Sequence, residues 1–151
     1  MSRFSLIYIG SFLILLSIFS FFNIIYSYYF DIFLNVDAYT YSFIISLFLG
    51  ISLIFFVKIN FKKILIYEKI ITVLFGYLFF PLIISIPFYL SLNDISFLNC
   101  YFESISGFTS TGFTIFDNIK QIDTSLILWR STSQWIGGLY FLFSILLLID
   151  I

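Results

Sequence analysis

Residues 99–114 read Asn99-Cys-Tyr-Phe-Glu-Ser-Ile-Ser-Gly-Phe-Thr-Ser-Thr-Gly-Phe-Thr114, and the fold turns on this stretch. Its first half is semi-apolar and too short to cross a bilayer. Its second half is a Thr/Ser/Gly run. Asn99 is placed to cap a short helix over about residues 99–108 by accepting from orphan backbone N–H groups. The carbonyls and negative dipole end of such a helix favour a cation. Beyond it, Gly112 permits backbone angles barred to other residues, so the carbonyls of Thr109, Ser110, Thr111, Gly112 and Phe113 can line one side of a narrow path. Rings of such carbonyls replace the hydration shell of a potassium ion. Taken alone, the run also reads as an ordinary outer loop, and only its setting separates the two.

That setting is membranous. Of 151 residues, 62% are hydrophobic and 10% charged, against roughly 25% charged in soluble domains. So few charges cannot cover an apolar body, and the bilayer is the expected solvent. Apolar stretches run from about Phe4 to Tyr29, Ala38 to Val57, Ile70 to Leu92 and Ser125 to Leu148. Each has about 20 residues or more, enough to cross roughly 30 Å of hydrocarbon as a helix. A short helix followed by irregular polar backbone, lying between two such spans, reads as a re-entrant segment. Backbone of that kind is tolerated at membrane depth only where protein buries it or water lines it. The expected fold is therefore an all-α integral membrane protein. Two N-terminal transmembrane helices (1–60) precede one unit (61–151) of outer helix about 70–92, pore helix about 99–108, filter 109–113 and inner helix about 125–148.

Charge sets the expected orientation. Arg3 and the cluster Lys58, Lys62, Lys63 and Lys69 fall on one side, which the positive-inside rule makes cytoplasmic. Asp31 and Asp37 mark an outer turn, and Lys120 is the one basic residue in an outer loop. The first apolar run is longer than a signal-peptide core and lacks a small-x-small cleavage site, so it reads as an uncleaved span. No histidine is present and Cys100 is the one cysteine. Imidazole chemistry, an internal disulfide and multi-Cys metal sites are thereby excluded. A net charge of −1 gives no footprint for nucleic acid. No enzymatic chemistry and no cofactor are expected, with K+ the one ion handled.

The stretch Phe102–Thr114 resembles the first filter region of Trk-type potassium uptake proteins, the TrkH family. Ile86-Pro-Phe-Tyr-Leu-Ser91 is similar to the end of that family's first outer helix. Leu128-Trp-Arg-Ser-Thr-Ser-Gln-Trp-Ile-Gly-Gly138 is similar to the start of its first inner helix. The preceding helix pair also fits the Trk type, so the resemblance covers nearly the whole chain. It implies potassium uptake, by symport, across a bacterial inner membrane. It places the coordinating carbonyls on Thr109, Ser110, Thr111, Gly112 and Phe113. It further implies three remaining repeats, a homodimer partner and a cytoplasmic, TrkA-like nucleotide-binding regulatory subunit. Two departures stand out. Ser110 replaces the usual Thr, a mild change if the ligand is a backbone carbonyl. Tyr140 stands where the family has a small Gly, which puts the close helix packing in question.

Supporting residues carry paired readings. Glu103 reads as an anchor for the pore helix, with attraction of ions as the alternative. Arg130 either bonds to loop carbonyls or to a carboxylate such as Glu103, or snorkels outward. Gly137 and Gly138 read as sites of close helix approach, with a hinge as the alternative. Pro81 and Pro87 read as a bent packing helix and not a gating hinge. Trp129 and Trp135 read as belt or packing residues. One filter strand is a quarter of a ring, and the sequence ends at Ile149-Asp150-Ile151 after an apolar run. The chain is thus expected to be the N-terminal portion of a longer transporter, not conducting alone. A complete homotetrameric cation channel and a non-transport membrane scaffold are the alternatives.

Overall fold

The computed structural model describes residues 3–32, 35–55, 65–92, 95–118 and 122–149. These form α1 (Arg3–Tyr29), α2 (Val36–Phe55), α3 (Ile66–Ser91), α4 (Phe97–Phe108) and α5 (Thr124–Ile149). All but α4 are long and apolar enough to cross a membrane, so the protein is an all-α, multi-pass integral membrane protein. The expected end of the second helix, Val57, lies outside the described residues, as do Lys58, Lys62, Lys63, Lys120, Asp150 and Ile151. Lys69 corrects a sequence expectation. Its charge suggests a loop, yet α3 begins at Ile66, and Lys69 sits buried in its first turn.

Large apolar side chains lie on the outer faces as well as in the core, and small polar ones are buried between helices. Ser17, Ser20, Asn23 and Ser27 of α1 and Ser42 and Ser46 of α2 are buried, while Phe48 and Phe55 of α2 are 71% and 87% exposed. Lipid accepts such apolar faces, and several of the buried hydroxyls find acceptors on their own helices: Ser20 Oγ donates to Leu16 O at 3.0 Å and Ser46 Oγ to Ser42 O at 2.7 Å. Small residues bring α1 and α2 together as a hairpin, with Gly10 facing Gly50 and Ser20 facing Ser42. Polar contacts then fasten the hairpin along α5. Tyr8 shares a hydrogen bond with Ser144 at 3.2 Å, and Asn23 Nδ2 donates to Thr132 Oγ1 at 3.4 Å. Tyr39 and Asn35 both donate to Ser125 Oγ, at 3.0 and 3.1 Å.

α3 runs unbroken through Pro81 and Pro87. Each proline lacks the N–H that would serve the carbonyl four residues earlier, and its ring crowds that turn. In both cases the carbonyl three residues before the proline takes a donor from another helix. Tyr101 Oη of α4 donates to Leu78 O at 2.9 Å, and Trp129 Nε1 of α5 donates to Ile84 O at 2.9 Å. The prolines therefore serve packing, and Trp129 is a packing residue. Trp135, 69% exposed, lies on the outer face of α5.

Tyr140 does not disrupt the helix contact. Its ring is fully buried among Phe12, Tyr77, Phe80 and Phe108 at centroid distances of 4.9–5.4 Å. Its hydroxyl donates to Val73 O at 3.0 Å and Thr72 O at 3.3 Å. The room is made on α3: a Cβ at residue 76 would lie 1.9 Å from the Tyr140 hydroxyl oxygen, and Gly76 has none. Space absent from α5 has been supplied by its neighbour.

Candidate functional site

α4 is capped by Ser96, whose Oγ accepts from Asn99 N at 3.4 Å. Asn99, expected as the cap, instead lies inside the first turn and is the donor. The apolar stretch resumes at Phe97, one residue after Ser96, and that fixes where the helix starts. The other end carries the site. Ser110 N donates to Gly107 O at 2.9 Å and Thr111 N to Ser106 O at 3.1 Å. This pair of bonds is a Schellman closure, with Ser110 in the left-handed region at φ 56°. The carbonyls of Ser106 and Gly107 are therefore used by the loop itself. Ile105 O is likewise taken, by Thr109 N at 2.8 Å and Thr109 Oγ1 at 2.7 Å.

The closure lies halfway along the flanking spans. Phe108 packs its ring against Tyr77 and Phe80 near the middle of α3, at 5.7 and 5.6 Å. Its carbonyl oxygen meets the middle of α5, at a point 1.7 Å from where a Cβ of residue 137 would be. Gly137 is thus a site of close approach, as expected. Gly138 is not, since nothing lies within 4 Å of a Cβ built there. The seating is reinforced at Gly107, where a Cβ would fall 2.4 Å from Ser133 Oγ.

From Thr109 to Phe113 the backbone is turned or irregular and exposed in this chain, with Gly112 at φ 83°. Its end is held by one ion pair. Glu103, 0% exposed, accepts from Arg130 Nε at 2.5 Å, from Thr114 Oγ1 at 3.0 and 3.1 Å, and from Ile115 N at 3.0 Å. The same guanidinium directs Nη2 to the carbonyls of Gly112 and Phe113, each at 3.4 Å. Ser106 Oγ also donates to Phe113 O at 2.5 Å. Both inward readings of Arg130 therefore hold together, and outward snorkelling is overturned. Sequence reasoning missed Ser96, Ser106, Ser133 and Thr114. Thr114 and Ser133 meet Glu103 and Gly107 too far along the chain for a local pattern to show them, whereas Ser96 competes with Asn99 as a local cap.

The fold and the loop define a class: a multi-pass membrane protein with a half-length helix and a polar loop packed against two full spans. Curated homologues then bear out the resemblance to Trk potassium uptake proteins, at 32–42% identity over about half of the chain. An uncharacterized cation transporter of Methanocaldococcus jannaschii is 34% identical over 77 residues, 51% of this chain and 16% of that protein. The Trk system potassium uptake protein TrkI of Halomonas elongata is 42% identical over 55 residues, 36% of this chain and 11% of its own length. TrkG of Escherichia coli is 32% identical over 71 residues, 46% of this chain and 14% of its own length. The match thus spans only a small part of each relative. No family model and no solved structure matches the chain.

Proposed function

We propose that the chain supplies one filter strand, with its outer and inner helices and the preceding helix pair, to a Trk-type potassium uptake pore. One observation carries this reading. A turn of backbone whose Thr109, Ser110 and Thr111 carbonyls accept nothing among the described residues is held halfway along spanning helices. Unpartnered carbonyls at that depth are costly unless water or a cation meets them. Four such strands close a ring, so this unit acts with further repeats and does not conduct alone. The cytoplasm lies at the N-terminal end of α1, the membrane is the bacterial inner membrane, and the negative interior drives the cation in by about 2.3 kcal/mol per 100 mV. No substrate chemistry and no cofactor enter. A second pore subunit and a cytoplasmic nucleotide-binding regulator are the partners that this reading implies.

The test is Gly112→Val in the full transporter that carries this segment. A β-branched residue cannot hold φ near 83°. Potassium uptake should be lost while the protein still inserts, as read by tracer uptake beside membrane-fraction immunoblotting. Unchanged uptake overturns the filter assignment.

A further inference from the structure

Arg130 touches the loop in a way that separates its five carbonyls into two groups. Those of Thr109, Ser110 and Thr111 accept nothing among the described residues, whereas Gly112 O and Phe113 O both face the Arg130 guanidinium at 3.4 Å. Phe113 O takes a second donor, Ser106 Oγ, at 2.5 Å. A carbonyl oxygen has two lone pairs, so Phe113 O has no free acceptor position, and Gly112 O lies beside a fixed positive charge. A potassium ion at either carbonyl would face a like charge and an acceptor already in use.

The guanidinium is not free to leave. Its Nε is bound to Glu103 Oε1 at 2.5 Å, and Glu103 is itself fixed by Thr114 and Ile115. The planar fork of arginine is what reaches a carboxylate through one nitrogen and two carbonyls through another, and a lysine ammonium lacks that geometry. Removing the carboxylate would release the fork, and removing the fork would release the carbonyls.

Resting on the filter reading above, we propose that Arg130 is a positioning residue that sets ion specificity. It withdraws Gly112 and Phe113 from coordination, so this strand offers the ion three carbonyls, Thr109 to Thr111, and not five. Glu103 acts through Arg130 by holding the fork in place.

Two measurements test this on the full transporter. The first is a structure of the intact parental protein soaked with thallium, an anomalous scatterer that replaces potassium. Thallium against the carbonyls of Thr109–Thr111 and none against Gly112 or Phe113 is expected. Thallium bound to Gly112 O or Phe113 O beside an unmoved Arg130 overturns the proposal. The second compares Arg130→Lys and the charge-free pair Glu103→Gln with Arg130→Gln. The expected result is a change of about threefold or more in the ratio of potassium to sodium uptake, at retained insertion. A purely structural role would lower the maximal rate and leave that ratio alone, and an unchanged ratio in an inserted variant overturns the proposal. Gly112→Val in the same assay keeps the two readings apart. If it abolishes uptake while the ratio in the Arg130 variants stays fixed, the filter stands and the role of Arg130 falls.

Discussion

α1 and α4 end in the same way and lead to different places. At the end of α1, Ile32 N donates to Ser27 O at 2.9 Å and Asp31 N to Tyr28 O at 3.4 Å, with Asp31 at φ 55°. At the end of α4, Thr111 and Ser110 repeat both bonds, with Ser110 at φ 56°. Neither turn uses the glycine that this backbone favours. After α1 the chain re-enters helix at Val36. After α4 it stays irregular through residue 118, beginning halfway down the neighbouring spans. There Ser106, Thr114 and the Glu103–Arg130 pair hold the end of the irregular backbone, while the carbonyls of Thr109, Ser110 and Thr111 accept nothing among the described residues. A helix stop is therefore not a site by itself. The difference lies in the depth of the stop and in the buried charge recruited to hold the irregular backbone beyond it.

Several substitutions would break or sharpen that contrast. The largest effect is expected at Glu103→Ala, which leaves the guanidinium without its carboxylate and costs about 3–5 kcal/mol. Asp31→Asn, at the matching turn of α1, removes no such pair, keeps a residue that tolerates the left-handed region and should cost less than about 0.5 kcal/mol. Thermal unfolding of the full transporter in detergent reads both, and equal losses would erase the distinction. Gly137→Ala comes next. Its new methyl group would occupy the place of Phe108 O, so α4 must shift, at about 1–3 kcal/mol and with reduced uptake. Gly138→Ala meets open space and should stay within about 0.5 kcal/mol. Tyr140→Phe keeps the packed ring and loses only its bonds to Val73 O and Thr72 O, about 0.5–1.5 kcal/mol by the same melt, with uptake retained. Ser110→Gly acts in the opposite direction: it removes left-handed strain and should raise stability by up to about 1 kcal/mol. Asp31→Gly should gain less, because Asp tolerates that region better than Ser.

The spans and the short helix between them are legible in the sequence because length and apolarity act locally, and α4 ends at Phe108, within the range read from the residues. The features that escape such a reading depend on contacts distant in sequence or on small phase differences. Ser96 and Asn99 are both good caps three residues apart, and only the onset of burial chooses between them. The charge of Lys69 points to a loop, yet a first helical turn can bury a lysine stem. Arg130 keeps open readings because Glu103 lies 27 residues away. Gly137 and Gly138 look alike in sequence, and only the direction of approach of Phe108 tells them apart. Tyr140 looks too large because its complement, Gly76, is on another helix.

The two prolines of α3 have one more consequence. Leu78 O and Ile84 O, where Tyr101 and Trp129 dock, are separated by six residues, or roughly 9 Å along the axis. A single helix thereby acts as the common ruler for the half-length helix and the returning span. The connecting loops can change length without altering the spacing between those two elements. One residue inserted between the docking points would rotate one against the other by about 100° and pull the loop out of alignment with the inner span.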